Sequence, residues 1–178
     1  MDCELVDPSE YDPLYLAGVV KFNECDYYEC HEVWEELWTE YRGPSRKFYQ
    51  GLIQAAVALY HFGNGNIRGA RKLHGSVHGY LDPYGSYYLG LHLDTFFEAF
   101  DECLKEVAAS TENFPKIDLD PETLPEIHLD PPPLVDGGDT DELRLSRILS
   151  GRFFGIRTSI PTSESCYVST RDAGHAYL

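Results

Sequence analysis

Apolar residues recur every three or four positions from residue 11 to residue 109, which is the period of amphipathic helices. The pattern predicts a first helix over about 11–22 and a second that begins after the N-cap Asp26 and ends before Gly43-Pro44. A third helix, over about 46–62, is apolar almost all round, so we expect it to be the central one. A fourth follows Asn66, and a fifth is predicted over 95–109 with Asp94 as its cap.

These elements predict an all-α fold, a small antiparallel bundle of about five helices. A weak internal repeat has an offset of 40 residues, which aligns Phe22 with Phe62 and the cap Asp26 with the cap Asn66. Two helical hairpins related in this way resemble tetratricopeptide packing. We expect no β-sheet larger than a short two-stranded pairing, because the strand-like runs are confined to the proline-rich segment.

The composition changes twice along the chain and divides it into three parts. Residues 8–112 are predicted to form the helical bundle domain. Residues 113–150 are rich in proline and predict an extended strap that lies on the bundle by its Ile and Leu side chains, followed by a short acidic helix over 140–149. Residues 151–178 are rich in Ser, Thr and Gly with little periodicity, which predicts a disordered C-terminal tail.

The phase of the second and third helices predicts which side chains are buried. Glutamates on the opposite face of the second helix, Glu29, Glu36 and Glu40, should be exposed. The predicted core residues are Trp34, Leu37, Trp38, Leu52, Ala55, Ala56 and Leu59.

The chain is strongly acidic, with 30 Asp and Glu against 14 Lys and Arg and a net charge of −16. Such a surface repels nucleic-acid phosphates and anionic lipids, so neither is an expected partner. Acids spread along the whole chain also fit a halophilic protein, because concentrated salt screens dense negative charge. The five cysteines form no C-x-x-C pair, and we find neither a signal peptide nor a membrane span, so the sequence predicts a cytoplasmic protein.

Polar side chains form one stripe on each of two neighbouring, mostly apolar helices. On the second helix, His31 flanks the apolar face that is centred on Trp34, and Glu35 lies one turn further on. The third helix carries its polar residues within one narrow arc: Arg46, Gln50, Gln54 and His61. Buried amides and imidazoles need hydrogen-bond partners, so the two stripes should meet. Antiparallel packing would bring His31 opposite His61.

Two interpretations of this constellation remain open. In the first, His31, Glu35 and His61 bind a divalent cation, zinc or similar, and Glu32 is the catalytic base of a metal-dependent hydrolase with an unknown small-molecule substrate. Its second shell would be Gln50, Gln54 and Arg46. In the second, the same groups form a structural network that holds two helices in register, and the protein is a non-enzymatic helical interaction module with a protein partner.

The run YYECHEVWEELW, then RKFYQGLIQAAVALYHF, then GN and GA, resembles domain-of-unknown-function family 309, from about Leu16 to Phe100. The resemblance implies a small all-helical bundle and, through a label often given to that family, a metal-dependent hydrolase. It makes signature positions of His31, Glu32, Trp34, Glu35, Gln50, Gly51, Gln54 and His61. Cys30 departs from the small Ala expected there.

Two other groups of residues are weaker candidates for a site. His74 and His78 stand at i and i+4, but they lie on a glycine-rich helix outside the family pattern, where polar surface histidines are common. Glu98 and Asp101, taken with Glu32 and Glu35, resemble the carboxylate pairs of all-helical nucleotide pyrophosphohydrolases. Their phase on the fifth helix, opposite Phe96 and Phe100, predicts instead that both acids point to solvent.

Overall fold

The computed structural model describes residues 11–112 and 116–133. Within them the chain is a helical bundle with one two-stranded antiparallel hairpin, as the all-α prediction requires. The helices are α1 (Pro13–Asn23), α2 (Tyr27–Glu40), α3 (Arg46–Gly63), α4 (Ile67–Leu81), α5 (Leu93–Cys103) and α6 (Lys105–Ala109). The strands are β1 (Tyr87–Tyr88) and β2 (Leu91–His92), and short 3₁₀ turns occupy Asp82–Tyr84 and Pro121–Thr123.

Side-chain caps start three of the helices. Asp26 accepts a hydrogen bond from the Glu29 backbone N–H at 3.4 Å, and Asn66 accepts one from Gly69 at 3.0 Å. Both caps were predicted and are confirmed. Asp12 does the same for α1, with a 2.8 Å bond from Leu14. Each cap gives a partner to an N–H that the first helical turn leaves without one.

Helix α3 is the centre of the bundle and packs against α2 on one side and α4 on the other. Its buried face includes Leu52, Ala55, Ala56 and Leu59, all without exposed surface. Glycines permit two close helix contacts: a Cβ at Gly18 of α1 would lie 2.0 Å from the Trp34 indole, and one at Gly51 of α3 would lie 2.5 Å from Leu81. Neighbouring helices therefore approach each other where glycine leaves room.

The burial predicted for α2 and α3 is confirmed at six of the seven core positions. Trp38 is the exception, because it is only partly buried and its ring is covered by the Arg46 guanidinium, 3.8 Å from the ring centroid. Glu36 and Glu40 are exposed as predicted. Glu29 is half-buried instead, and burial raises the pKa of its carboxyl group.

The fifth helical segment ends at Ala109 as predicted, but it begins earlier than predicted and is interrupted. Helix α5 begins at Leu93, two residues before the predicted start, so Asp94 lies in its first turn and is not its cap. The buried Leu93 donates its backbone N–H to the Ser86 carbonyl at 2.8 Å, which joins the helix directly to the hairpin. The predicted single helix is also broken at the buried Leu104, after which α6 follows.

The sequence pattern placed strand-like runs only in the strap, and the β1–β2 hairpin at residues 87–92 was missed. Its turn holds Leu89 and Gly90, both at positive φ, the geometry that right-twisted hairpins prefer. A Cβ at Gly90 would lie 2.1 Å from the Tyr11 hydroxyl oxygen, so the turn packs closely against the residue that precedes α1.

The described part of the strap, residues 116–133, lies on the bundle as predicted. Ile127 is buried and exchanges two hydrogen bonds with the Asn23 side chain, at 2.8 and 2.9 Å. Further along, the Asp130 backbone N–H donates to the Gly90 carbonyl at 2.8 Å. The predicted helix at 140–149 and the predicted tail at 151–178 lie outside the described residues, and the domain boundaries stay predictions.

In the part of the chain that the structure describes, no helix is both long enough and apolar enough to cross a membrane.

Candidate functional site

One histidine and two glutamates of α2 form a compact group of potential ligands. His31, Glu32 and Glu35 each offer an atom within 4.8 Å of the others. The His31 Nε2 atom lies 3.2 Å from Glu32 Oε1, close enough for an ion pair when the imidazole is protonated. The helix itself creates this group, because residues four apart lie on one face and Glu32 flanks them.

The group opens directly to solvent. The side chain of Glu32 is 54% exposed, Glu35 is also exposed, and His31 retains 17% of its side-chain surface. A sealed structural network would bury its carboxylates, so this arrangement leaves room for a ligand from solution. The acids sit beside the apolar face on which Trp34 is buried, which fixes the helix under them.

Aromatic rings link the start of α2 to the end of α3. The Tyr28 ring meets the His31 ring edge-on at 4.9 Å between centroids, and it lies 5.8 Å from the Tyr60 ring of α3. At the other end, Arg46 of α3 covers Trp38 of α2. These contacts confirm the predicted antiparallel packing, and they place Gln54 level with the turn that holds His31.

His61 is not a member of the His31 group. Its Nδ1 atom lies 3.4 Å from the Asn66 side-chain nitrogen, beyond the end of α3, and its ring is half-buried. Burial lowers the pKa of the His61 imidazole, so the neutral form is favoured. A neutral imidazole has a lone pair for a cation, but the His61 ring does not lie within 4.8 Å of all three members of that group.

Three buried polar atoms at the α2–α3 contact have no hydrogen-bond partner. They are the donors Trp38 Nε1 and Arg46 Nε and the acceptor Gln54 Oε1. Gln50 is partly buried one turn before Gln54. A buried polar atom without a partner costs free energy, so these three atoms leave the α2–α3 contact incompletely hydrogen-bonded. The expected network from His31 to the Gln54 oxygen is not formed.

A separate cavity lies between the start of α2, the end of α3 and the strap. Its walls include Tyr27, Leu59 and Phe62 from the bundle, together with Ile117 and Leu124 from the strap. None of His31, Glu32 and Glu35 lines it. The candidate site is therefore a surface group and does not lie at the bottom of this cavity.

Two cysteines of the bundle, Cys30 and Cys103, have thiols whose pKa is raised. Cys30 is buried, lies 3.3 Å from the Gly18 carbonyl oxygen, and has its pKa raised by burial. Burial also raises the pKa of Cys103 to about 11. Both thiols are therefore protonated near neutral pH, which disfavours them as nucleophiles.

A second group of potential ligands joins α4 to α5, where the sequence predicted only surface residues. His74 Nε2 and His78 Nε2 lie 2.8 and 2.9 Å from the same oxygen, Asp101 Oδ1. The Asp101 side chain is 45% exposed, so it points only partly to solvent, and the prediction missed its two histidine contacts from α4. Glu98 is exposed as predicted. The one available signal was the i, i+4 spacing of the histidines, since their partner is 23 residues away.

The chain is similar to known proteins over part of its length. The family described as "Domain of unknown function (DUF309)" matches residues 15–73, a narrower span than the resemblance suggested. The chain is 45% identical over 65 residues to "Uncharacterized protein YpuF" of Bacillus subtilis (strain 168), a match that covers 35% of this chain and 37% of that protein.

A second relative, an "Uncharacterized protein" of Aquifex aeolicus (strain VF5), is 44% identical over 46 residues. That match covers 25% of this chain and 14% of the relative, so the chain spans well under half the length of either protein. Residues 15–73, which the family matches, contain α2 and α3, with the His31 group and the polar stripe of α3. Over residues 15–73, the resemblance to domain-of-unknown-function family 309 is confirmed.

Proposed function

We propose that the protein is a metal-dependent hydrolase that binds a divalent cation, zinc or similar, at His31 and Glu35, with Glu32 as its general base. The observation that carries the proposal is the convergence of one imidazole nitrogen and two carboxylate oxygens within 4.8 Å at a surface open to solvent. Imidazole and carboxylate together suit zinc and its neighbours, which bind such ligands at about 2.0–2.2 Å.

The donor atoms fit a shared cation after small rotations of exposed side chains. Two ligands of one tetrahedral ion lie about 3.4 Å apart when each bond is about 2.1 Å. The ligand atoms of His31 and Glu35 lie within 4.8 Å of each other, so a modest approach of the two side chains reaches that value. Because Glu32 and Glu35 are exposed, their carboxylates move without disturbing the core.

The bound cation would supply Lewis-acid polarisation of the scissile group and of water. Glu32 accepts the proton of the attacking water, since its carboxylate lies beside His31 and faces solvent. Trp38 and Arg46 have buried donors, and Gln54 a buried acceptor, without partners on the facing helix. Because these atoms are buried, we place Gln50, Gln54 and Arg46 behind the metal ligands, on the facing helix α3.

His61 is the third proposed ligand, and it needs the largest movement to reach the cation. Its neutral imidazole is competent to bind a cation, but the ring must turn away from Asn66 to reach the α2 carboxylates. We therefore expect loss of His61 to weaken cation binding less than loss of His31.

The test begins with elemental analysis of protein purified without an affinity tag and dialysed against ZnCl₂ or MnCl₂. His31→Ala should lose one bound ion per chain and retain its helical circular dichroism. His128→Ala is the matched control, because this exposed histidine also pairs with a glutamate, Glu126, at 3.2 Å. Glu32→Gln should still bind the ion.

Activity is then measured on bis-p-nitrophenyl phosphate and p-nitrophenyl acetate with each metal. Loss of the general base should lower hydrolysis by about 10²-fold or more in Glu32→Gln. Unchanged ion content in His31→Ala, or hydrolysis that survives Glu32→Gln, would overturn the proposal. A protein that binds the ion and hydrolyses neither ester would be a metal-binding interaction module and no hydrolase of this kind.

A further inference from the structure

The group at the α4–α5 contact has the composition of a metal centre and lies outside the family match. His74 and His78 stand one turn apart on α4, immediately after the matched residues 15–73. Asp101 reaches them from the last turn of α5. The three ligand atoms lie within 4.8 Å of one another, with all three residues partly buried.

We propose that His74, His78 and Asp101 form a second divalent-cation site, of the zinc class, that ties α4 to α5. Two imidazoles and one carboxylate are three protein ligands of a tetrahedral zinc site, and water occupies the fourth position. The proposal is independent of the His31 site, since the two groups share no residue.

The distances are close to those of a loaded site. Each histidine Nε2 lies 2.8 or 2.9 Å from Asp101 Oδ1, whereas two ligands of one zinc ion lie about 3.4 Å apart. Withdrawal of the Asp101 carboxylate by roughly half an ångström would open that space. The side chain is 45% exposed, so this movement needs no repacking of the core.

The histidine rings are already held in place by neighbours. The His74 ring stacks on Phe100 at an interplanar angle of 15°, and the His78 ring stacks on Phe97 at 17° with 4.4 Å between centroids. Both phenylalanines flank Asp101 on α5, so the same helix supplies the carboxylate and orients the imidazoles. Ring orientation set before binding lowers the entropy that a cation site must overcome.

A carboxylate also lies at the far nitrogen of one ligand. Asp82 Oδ1 is 3.6 Å from His78 Nδ1, within ion-pair distance. A carboxylate on the distal nitrogen of a histidine is a common companion of zinc sites, because it favours the proton on that nitrogen and leaves the other lone pair for the metal. At 3.6 Å no hydrogen bond joins Asp82 to His78, so Asp82 would have to move closer to orient the imidazole in this way.

A cation at this position would stabilise helix α4. Helix α4 contains Gly69, Gly75 and Gly79, and each glycine inside a helix costs about 1 kcal/mol relative to alanine. A cation bound by two histidines at i and i+4 fixes one turn of that helix, and Asp101 anchors it to α5. The site would therefore stabilise the least helix-prone part of the bundle.

The test uses tag-free full-length protein that has been freed of metal with EDTA and titrated with ZnCl₂. Free zinc at a hundredfold excess over the Kd should raise the Tm by about 5–10 °C in the wild type and in His31→Ala. Asp101→Asn should lose one zinc per chain and most of that shift. Glu98→Gln, one turn earlier on the exposed side of α5, is the matched control and should behave as the wild type.

A direct measurement on the wild type keeps the proposal falsifiable if Asp101→Asn fails to fold. In ¹⁵N-detected correlation of the imidazole rings, zinc should shift the Nε2 signals of His74 and His78 and leave that of His128 in place. Absence of any shift at these two rings, or full zinc content and full stabilisation in a folded Asp101→Asn, would overturn the second site. If His31→Ala loses zinc and Asp101→Asn does not, the second site is ruled out and the proposed hydrolase site is supported.

Discussion

The two histidine–carboxylate groups of this bundle are built in opposite ways. The α2 group takes all its members, His31, Glu32 and Glu35, from one helix within five residues. The α4–α5 group takes two histidines from one helix and a carboxylate from another, 23 residues beyond the nearer histidine. In the first group both acids are exposed; in the second the single acid accepts two hydrogen bonds.

The difference shows that one group has acids available to bind a ligand, whereas the acid of the other group already links two helices. The α2 group depends only on helix geometry and faces solvent, so its acids are free to serve a ligand. The α4–α5 group holds two helices together even without a ligand, because one oxygen satisfies two imidazole donors. We therefore expect variants of the first group to change binding and activity, and variants of the second to change stability as well.

The largest expected effect is a loss of stability, and it tests whether the packing of α2 fixes the helix that carries His31, Glu32 and Glu35. Trp34 is buried, packs against Gly18 and donates its indole N–H to the Tyr15 carbonyl at 3.1 Å. Trp34→Ala should lower the free energy of unfolding by about 3–5 kcal/mol, because it leaves a cavity and an acceptor without its donor. Urea denaturation measures the loss. Trp38→Ala, at a half-exposed position on the same helix, is the control. An equal loss there would contradict the claim that the buried Trp34 is what fixes α2.

The next effect compares one acid from each group in metal-free protein. Asp101→Ala leaves the His74 and His78 donors without their acceptor and should cost about 1–2 kcal/mol, reduced by partial solvent exposure. Glu35→Ala removes an exposed side chain and should stay within about 0.5 kcal/mol. Both are measured by urea denaturation in EDTA. Equal losses would remove the distinction between the two groups.

The smallest effect concerns pH and the end of α3. Burial lowers the pKa of His61 below 6.5 in the folded state, so below pH 6.5 the unfolded chain binds this proton more readily than the folded one. The contribution of His61 to stability should therefore fall as the pH drops through 6.5 towards the folded pKa, and it should not change above it. The Tm of the wild type at pH 7.5 and 5.5 is compared with that of His61→Gln.

The variant should lose less Tm than the wild type over this interval, since it lacks the titrating group. An identical loss in both proteins would mean that His61 is as solvated as in the unfolded chain. It would then no longer differ from an ordinary surface histidine.

Local patterns were sufficient for much of the fold. The caps Asp26 and Asn66, the centrality of α3 and the burial of Trp34 each follow from residues within one or two helical turns. The start of α5 could not be predicted in this way. Leu93 is buried and donates its backbone N–H to the Ser86 carbonyl, and both features depend on residues outside the helix.

The candidate sites also divide into those that local sequence predicts and those that depend on distant contacts. The sequence by itself determined the His31–Glu32–Glu35 group, since a helix brings residues at i, i+1 and i+4 together whatever the rest of the chain does. Only the tertiary structure decided that Asp101 meets His74 and His78, and that His61 lies with Asn66 outside the α2 group. Those contacts depend on how whole helices pack, which is set by the sum of many buried contacts and by no single spacing.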